Sequence, residues 1–170
     1  RILVCSATNL AVDNVLSKLE GEVLRIGSEA SIARPEVRKF SIKSQLGDKS
    51  YDEVLKDSKV VGSTIDSVGI HLSRENFDIV VIDEASTVEL PRLLIALMKS
   101  KRVVICGDTM QLSSFIDSRI LNALANQLSE TELQILYASP FKLISDRWKD
   151  NTLYLRDNFR NSKKVFEFIN

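Results

Sequence analysis

Histidine and cysteine are almost absent from the chain. Its 170 residues include one histidine, His71, and two cysteines, Cys5 and Cys106. A structural zinc site needs four such ligands, so three side chains cannot supply one. Two cysteines also exclude a framework of several disulfides. Because each cysteine lies within an apolar run, we expect two buried, reduced thiols in an intracellular protein.

An excess of either charge and a long apolar run are missing as well. Lys plus Arg number 23 and Asp plus Glu also number 23, which excludes a strongly basic domain but leaves a local basic groove open. No apolar run approaches the roughly 20 residues of a membrane-spanning helix. The first residues, "RILVC", are too short for a signal peptide. We therefore expect no membrane segment and a cytoplasmic protein, or a nuclear one in a eukaryote.

Short apolar runs alternate with helical patterns along most of the chain. This alternation is typical of an α/β domain with a mostly parallel sheet and helices on both faces. Ser86 and Glu89 have the spacing of a capping box at a helix start, and Gly21 is a helix stop signal. Strands are predicted at 2–5, 22–27, 60–64, 78–83, 102–108 and 153–159, and helices at 10–21, 86–100 and 162–170. Residues 28–59 break the rhythm and predict a polar surface excursion with one or two short helices.

The stretch "IVVIDEAST" at 79–87 joins a buried strand to two adjacent carboxylates, Asp83 and Glu84. An unpaired buried charge is costly, so the pair is expected where the strand leaves the sheet. In parallel α/β sheets that edge is where ligands bind. The other predicted strands end in small, polar or charged residues that would meet there. These are Ser6, Thr8, Asn9, Gly62, Ser63, Thr64, Gly107, Asp108, Gln111, Asn158 and Arg160.

Such a set of side chains suits phosphate and metal chemistry. Asp83 is in position to hold Mg²⁺, which keeps several waters and needs few protein ligands. Glu84 is suited to deprotonate a water that attacks a γ-phosphate. Gln111 would sense that phosphate, and Arg160 would neutralise charge in the transition state. The two carboxylates would thus divide the work between the metal and the water.

Each of these residues also has a structural interpretation, which the pattern alone leaves open. Asp83 is able to cap the following helix, and Thr8 and Asn9 are good N-cap residues for theirs. Gly107 and Asp108 form a turn signal. Arg160 alone is a surface charge.

Order and spacing together resemble superfamily 1 helicases. The similarity lies in "VCSATNLAVDNVLSKL" (motif Ia), "VVGSTIDSVG", "FDIVVIDEASTVELPRLLIAL" (motif II, a Walker B acid pair), "VVICGDTMQLSS" (motif III) and "LYLRDNFRN" (the arginine motif). The pattern is most similar to the branch of the nonsense-mediated-decay and immunoglobulin-mu-binding-protein helicases. The implied fold is the first RecA-like motor domain.

The resemblance also implies a mechanism and its partners. ATP and Mg²⁺ would bind between two RecA-like domains, and hydrolysis would drive movement along single-stranded DNA or RNA. Asp83 would hold Mg²⁺ through water, Glu84 would act as general base, and Gln111 and Arg160 would contact the γ-phosphate. Thr8, Asn9, Ser63 and Thr64 would contact the phosphates of the nucleic acid, which position a strand without reading its sequence.

The chain departs from the helicase pattern in what it lacks. It contains no G-x-x-x-x-G-K-[ST] phosphate loop, and 28–59 is too short for the barrel that relatives carry there. We therefore expect residues 1–170 to be part of a first motor domain, with the phosphate loop upstream, the second motor domain downstream, and no ATPase activity in this segment alone. The alternative function is a non-catalytic RecA-like scaffold or protein-binding domain.

Overall fold

A five-stranded, all-parallel sheet forms the centre of the molecule. The computed structural model describes residues 1–111, 118–124, 127–129, 132, 139–155 and 157. The strands are β1 (Ile2–Ser6), β2 (Val23–Ile26), β3 (Val60–Thr64), β4 (Ile79–Asp83) and β5 (Val103–Ile105). Their order across the sheet is β2-β3-β1-β4-β5. This confirms the predicted parallel α/β architecture of the RecA-like type.

Short helices connect the strands. The α-helices are α1 (Asn9–Leu16), α2 (Ile42–Leu46), α3 (Tyr51–Asp57), α4 (Ile65–His71), α5 (Leu90–Leu97), α6 (Ser118–Leu124) and α7 (Pro140–Arg147). Short 3-10 helices lie at Glu29–Ser31, Pro35–Phe40, Ala85–Thr87 and Lys149–Asn151. Within the described ranges, no helix is long and apolar enough to span a bilayer.

Two apolar clusters hold the helices against the sheet. The first includes Leu3 and Cys5 of β1 with residues of α4 and α5. The second joins Val12 and Leu16 of α1 to β2 and to the segment after it. Helix α1 approaches β3 closely, since a Cβ added at Gly62 would lie 2.4 Å from Leu16 Cδ1. Gly62 thus lets α1 sit directly on the sheet.

Two predicted helix boundaries are wrong. Helix α1 ends at Leu16, several residues before Gly21, which instead takes a positive φ of 87° in the following turn. Helix α5 begins at Leu90, with Glu89 and not Ser86 as its N-cap. The cause is Pro91: it fits the first turn of a helix, but further inside it removes a hydrogen bond and clashes with the preceding turn. The predicted Ser86–Glu89 capping box therefore does not form.

Residues 28–59 are more than a polar surface excursion. Val37, Phe40, Val54 and Leu55 are buried, so this segment contributes to both apolar clusters. It also covers the outer side of β2, where the Gln45 side chain donates to the Val23 carbonyl at 2.7 Å. The sequence pattern did not predict this burial, because the buried residues of the segment lie in short 3-10 and α-helices and are interspersed with charged residues.

The two cysteines differ from the expectation of two buried thiols. Cys5 is buried in β1, and burial raises its pKa to about 12. Cys106, directly after β5, is exposed. Partial burial, and then the negative charge of Asp83, raise the pKa of the Cys106 thiol.

The end of the chain gives only partial outcomes. The predicted strand at 153–159 is absent from its described part, since 153–155 and 157 have no regular structure. The remaining residues of that prediction, and the predicted helix at 162–170, lie outside the described residues.

Candidate active site at the carboxyl edge of the sheet

Three strands end side by side at the predicted edge. Ser6, the last residue of β1, is in register with Thr64 of β3 and with Asp83 of β4. The ends of motifs that are far apart in sequence are therefore neighbours in the sheet. Parallel pairing alone brings them together, as the sequence predicted.

The Asp83 carboxylate is half-buried and turned toward its own loop. Its Oδ1 atom accepts a hydrogen bond of 3.0 Å from the Glu84 amide. Asp83 does not cap the next α-helix, because α5 begins at Leu90 and Glu89 occupies its N-cap position. The interpretation of Asp83 as a helix cap is therefore wrong.

Glu84 has an unusual backbone conformation. Its φ of 53° and ψ of 39° lie in the left-handed region, and it is the only non-glycine residue with positive φ in the described ranges. This turns the chain sharply from β4 into the 3-10 turn Ala85–Thr87. The Glu84 side chain is exposed, and its carboxylate caps neither that turn nor α5. The carboxylate is therefore not used up by a structural role.

The loop after β5 is bonded to the loop after β4. The Cys106 amide donates to the Ile82 carbonyl, and the Ala85 amide donates to the Cys106 carbonyl, both at 2.8 Å. A Cβ added at Gly107 would lie 3.0 Å from the Ser86 amide nitrogen. The two predicted motifs are thus held in contact at a point where only glycine avoids crowding.

A turn follows at Asp108. Asp108 Oδ1 accepts from the Met110 amide at 2.9 Å, and the Asp108 carbonyl accepts from the Gln111 amide at 3.3 Å. The turn interpretation of Gly107–Asp108 is therefore correct. The turn presents Gln111 as an exposed side chain. Asn158 and Arg160 lie outside the described residues.

Three of the four predicted nucleic-acid residues, Thr8, Asn9 and Thr64, lie at the starts of two helices, and the fourth, Ser63, lies in β3. Thr8 caps α1 by accepting from the Ala11 amide at 3.3 Å, and Thr64 caps α4 by accepting from the Ser67 amide at 3.4 Å. The capping interpretation is confirmed for Thr8 and wrong for Asn9, which is the first residue of α1. Ser63 is fully buried, and its hydroxyl donates to the Thr64 carbonyl at 3.2 Å. The Ser63 side chain thus supports the strand end and does not face solvent.

Sequence reasoning missed a buried ion pair beside Asn9. Arg25 in β2 and Asp13 in α1 are almost fully buried, and Arg25 Nε donates to Asp13 Oδ1 at 2.7 Å. Arg25 Nη2 also donates to Asn9 Oδ1 at 2.7 Å. Two signals were available: Asp13 follows Val12 on the apolar side of α1, and Arg25 interrupts an otherwise apolar strand.

The strand ends suit a hydrated Mg²⁺ better than a fully coordinated metal. The described residues contain no group of three or more His, Cys, Asp or Glu able to hold a metal ion. Mg²⁺ commonly binds through one or two carboxylates and keeps its waters, which fits the half-exposed Asp83. The Ser6 hydroxyl, in register with Asp83, is buried without a hydrogen-bond partner and is a further oxygen at this edge.

Among the described residues, neither of the two surface depressions found lies at the carboxyl edge. Two surface depressions, of about 400 and 580 Å³, are lined by residues that precede the strands, such as Glu22 and Ser58 in one and Asp78 and Arg102 in the other. They therefore lie at the amino edge, away from Asp83. A nucleotide bound between two domains needs only a half-site on each, so converging polar groups on an open edge suffice for one half.

The parallel sheet with its strand-end carboxylates defines an α/β domain of the RecA-like class. Residues 45–119 match the family described as an AAA domain. This segment contains β3, β4 and β5, and with them Asp83, Glu84 and Gln111.

Relatives of this chain are helicases. It is 30% identical over 177 residues to the DNA replication ATP-dependent helicase/nuclease dna2 of Schizosaccharomyces pombe, with 97% of this chain and 12% of the relative covered. The Arabidopsis thaliana protein JHS1, of the same description, is also 30% identical, with 99% and 12% covered. The DNA polymerase alpha-associated DNA helicase A of S. pombe is 30% identical, with 70% and 26% covered.

The chain spans about an eighth of the length of the first two of these relatives. Together the matches support a segment of a superfamily 1 helicase. They do not single out the nonsense-mediated-decay branch that the motifs predicted.

Proposed function

We propose that this chain is the part of a first RecA-like motor domain that runs from motif Ia to the arginine motif in an ATP-dependent helicase. The complete protein would hydrolyse ATP and move along a single strand. The observation that carries this proposal is the convergence of Thr64, Ser6 and Asp83 on neighbouring strand ends. The bonded loops after β4 and β5 support it further.

Asp83 would hold Mg²⁺ through water. Its Oδ1 atom is oriented by the Glu84 amide, and the carboxylate remains accessible at the edge. When bound, the ion neutralises charge on the β- and γ-phosphates. Asp83 therefore acts in binding and in electrostatic stabilisation.

Glu84 would be the general base. A carboxylate that accepts a proton from the attacking water must reach the water without being engaged elsewhere, and the exposed Glu84 side chain meets that condition. Gln111, on the turn bonded to the same loop, would contact the γ-phosphate. Arg160 would approach the phosphate from the other side, as the helicase resemblance implies.

Thr8, Asn9 and Thr64 would contact the phosphates of a single strand. They begin α1 and α4 at one edge, and helix N-termini favour anions. Ser63 would contribute through its support of the Thr64 backbone. DNA is the favoured strand, because the relatives are described as a DNA replication helicase/nuclease and a DNA helicase. RNA and the nonsense-mediated-decay branch remain a prediction of the motifs alone.

The second RecA-like domain of the same polypeptide would complete the nucleotide site. The open carboxyl edge supports this, since Asp83 and Glu84 are not enclosed by described residues. A nuclear or cytoplasmic location would follow from a role in replication. The non-catalytic scaffold is not favoured, because the relatives are described as ATP-dependent helicase/nucleases.

Glu84→Gln in the full-length protein tests the catalytic proposal. It keeps the shape of the side chain and removes the base, so single-turnover hydrolysis is expected to fall by about two to four orders of magnitude. ATP affinity is expected to survive, because Asp83 is intact. Asp83→Asn is expected to weaken Mg²⁺-dependent ATP binding as well as hydrolysis.

Glu89→Gln is the matched control for Glu84→Gln. Glu89 lies five residues along the same loop and pairs with Arg92 at 3.3 Å, so its neutral variant is expected to hydrolyse ATP at the normal rate. Normal hydrolysis by Glu84→Gln would contradict the role of Glu84. A loss in both variants would instead indicate a general disturbance of the loop.

A further inference from the structure

We infer that Arg25 is a positioning residue that fixes the Asn9 side chain for contact with a nucleic-acid phosphate. This inference rests on the proposed function, since it needs a strand bound at the start of α1. It concerns how that contact is prepared, and it begins from the buried group of Asn9, Asp13 and Arg25.

Arg25 fixes the orientation of the Asn9 amide. Arginine donates hydrogen bonds and accepts none, so the group facing Arg25 Nη2 at 2.7 Å must be the oxygen of Asn9. The amide nitrogen then points away from Arg25. Asn9 is only partly buried, and within the described ranges its Nδ2 atom has no hydrogen-bond acceptor. A donor is thereby left for an anionic oxygen.

Arg25 is itself held rigidly. Its guanidinium is 1% exposed and is bound on each of its three nitrogens: Nε to Asp13, Nη1 to the Ile26 carbonyl and Nη2 to Asn9. A buried arginine with every nitrogen engaged has little freedom to move. Gly27 leaves it room, since a Cβ there would lie 3.2 Å from Arg25 Nη1.

Asp13 connects this buried group to the segment after β2. Asp13 Oδ2 accepts from the Ala33 amide at 2.6 Å and from the Arg34 amide at 3.3 Å. The backbone of segment 28–59 thus holds Asp13, Asp13 holds Arg25, and Arg25 holds Asn9. A displacement of that segment would therefore change the position of the Asn9 side chain at the proposed phosphate contact.

The experiment is a double-mutant cycle on strand binding in the full-length protein. The dissociation constant of a fluorescent single-stranded oligonucleotide, as DNA and as RNA, is measured for wild type, Asn9→Ala, Arg25→Lys and the double variant. Lysine keeps the charge beside Asp13 but cannot hold two partners in the fixed geometry of a guanidinium. Arg102→Lys, at the opposite edge of the sheet, is the control and should bind normally.

We expect Asn9→Ala to weaken binding about ten- to hundredfold, the range for a hydrogen bond to a charged group. The slope of affinity against salt should not change, since a neutral amide releases no counterion. Arg25→Lys should weaken binding similarly, and Asn9→Ala should add less than about twofold to it. If Arg25 is only structural, Asn9→Ala will have its full effect in both backgrounds, which would overturn the inference.

Arg25→Lys is uninformative if it does not fold, which the loss of a cooperative unfolding transition would reveal. Asn9→Asp then provides the second test of the inference. Aspartate still gives Arg25 an acceptor, but it replaces the outward donor with an oxygen that repels phosphate. It should therefore bind more weakly than Asn9→Ala, and binding at the wild-type level would overturn the inference. Failure of the wild-type protein to bind either strand would overturn the proposed function itself, and the inference with it.

Discussion

The two outermost strands of the sheet, β2 and β5, differ in burial in the opposite sense to their composition. β2 contains an arginine, yet all four of its residues are buried. β5 is purely apolar over Val103–Ile105, yet Val104 is 50% exposed. Segment 28–59 covers β2, whereas none of the described residues pairs with the outer side of β5. The difference shows that the composition of a strand does not determine its burial. Other residues of the protein must cover the strand before its side chains are buried.

Thiol labelling gives the largest expected contrast between the interior and the β5 edge. Cys106 is exposed and should react with a thiol reagent in the native protein, while Cys5 is buried with its pKa raised to about 12. If Cys5 reacts only after unfolding, the two rates should differ by about a thousandfold or more. Mass spectrometry of the labelled peptides measures both. Comparable rates would mean that β1 is not the closed centre of the sheet.

Removing the Asp13 carboxylate tests how far the β2 edge depends on its buried pair. Asp13→Ala leaves Arg25 buried without its ionic partner and should lower the free energy of unfolding by about 3–5 kcal/mol. Glu22→Ala removes an exposed pair with Lys59 at 2.7 Å and should change it by less than about 1 kcal/mol. Urea denaturation compares the two. Equal losses would argue against a special role for the buried pair.

These residues also mark the limit of prediction from sequence. The apolar runs located every strand that the structure describes, because strands buried on both faces have a strong signal. Arg25 and Asp13 were missed because their burial depends on partners in different elements, which local patterns do not reveal. The Ser86–Glu89 spacing gave a false helix start because Pro91 restricts the first turn. Ser6, Thr64 and Asp83 were correctly predicted at neighbouring strand ends, but the hydrogen bonds that make some strand-end residues caps and leave others free are tertiary.

Gly62→Ala should lower the stability of the packing between α1 and β3 by a smaller amount than Asp13→Ala. The added methyl would meet Leu16, itself fully buried, and overpacking of this kind costs about 1–3 kcal/mol. The midpoint temperature of thermal unfolding should therefore fall. Gly69→Ala is a useful control, since its Cβ would meet Ile95 at an ordinary 3.5 Å. A larger loss for Gly69 would contradict the close packing of α1 on β3.

The smallest effect is expected at β5 itself. Val104→Thr places a hydroxyl on a half-exposed position and should change the free energy of unfolding by less than about 0.5 kcal/mol. Val23→Thr in β2 buries the hydroxyl at a position that is 1% exposed and should cost about 1–3 kcal/mol. The same denaturation experiment measures both. A greater loss at Val104 would show that the β5 edge is covered after all.

The left-handed conformation of Glu84 has an evolutionary consequence. A side chain with a Cβ costs about 1–2 kcal/mol in that region, whereas glycine adopts it freely and asparagine or aspartate more readily than glutamate. A lineage that kept this fold only as a scaffold would gain stability by drifting to glycine or asparagine there, and nothing would oppose the change. If Glu84 is the general base proposed above, selection for its carboxylate would keep a glutamate in a conformation that disfavours it. On that proposal, the residue at position 84 would distinguish hydrolysing relatives from those that keep the fold only as a scaffold.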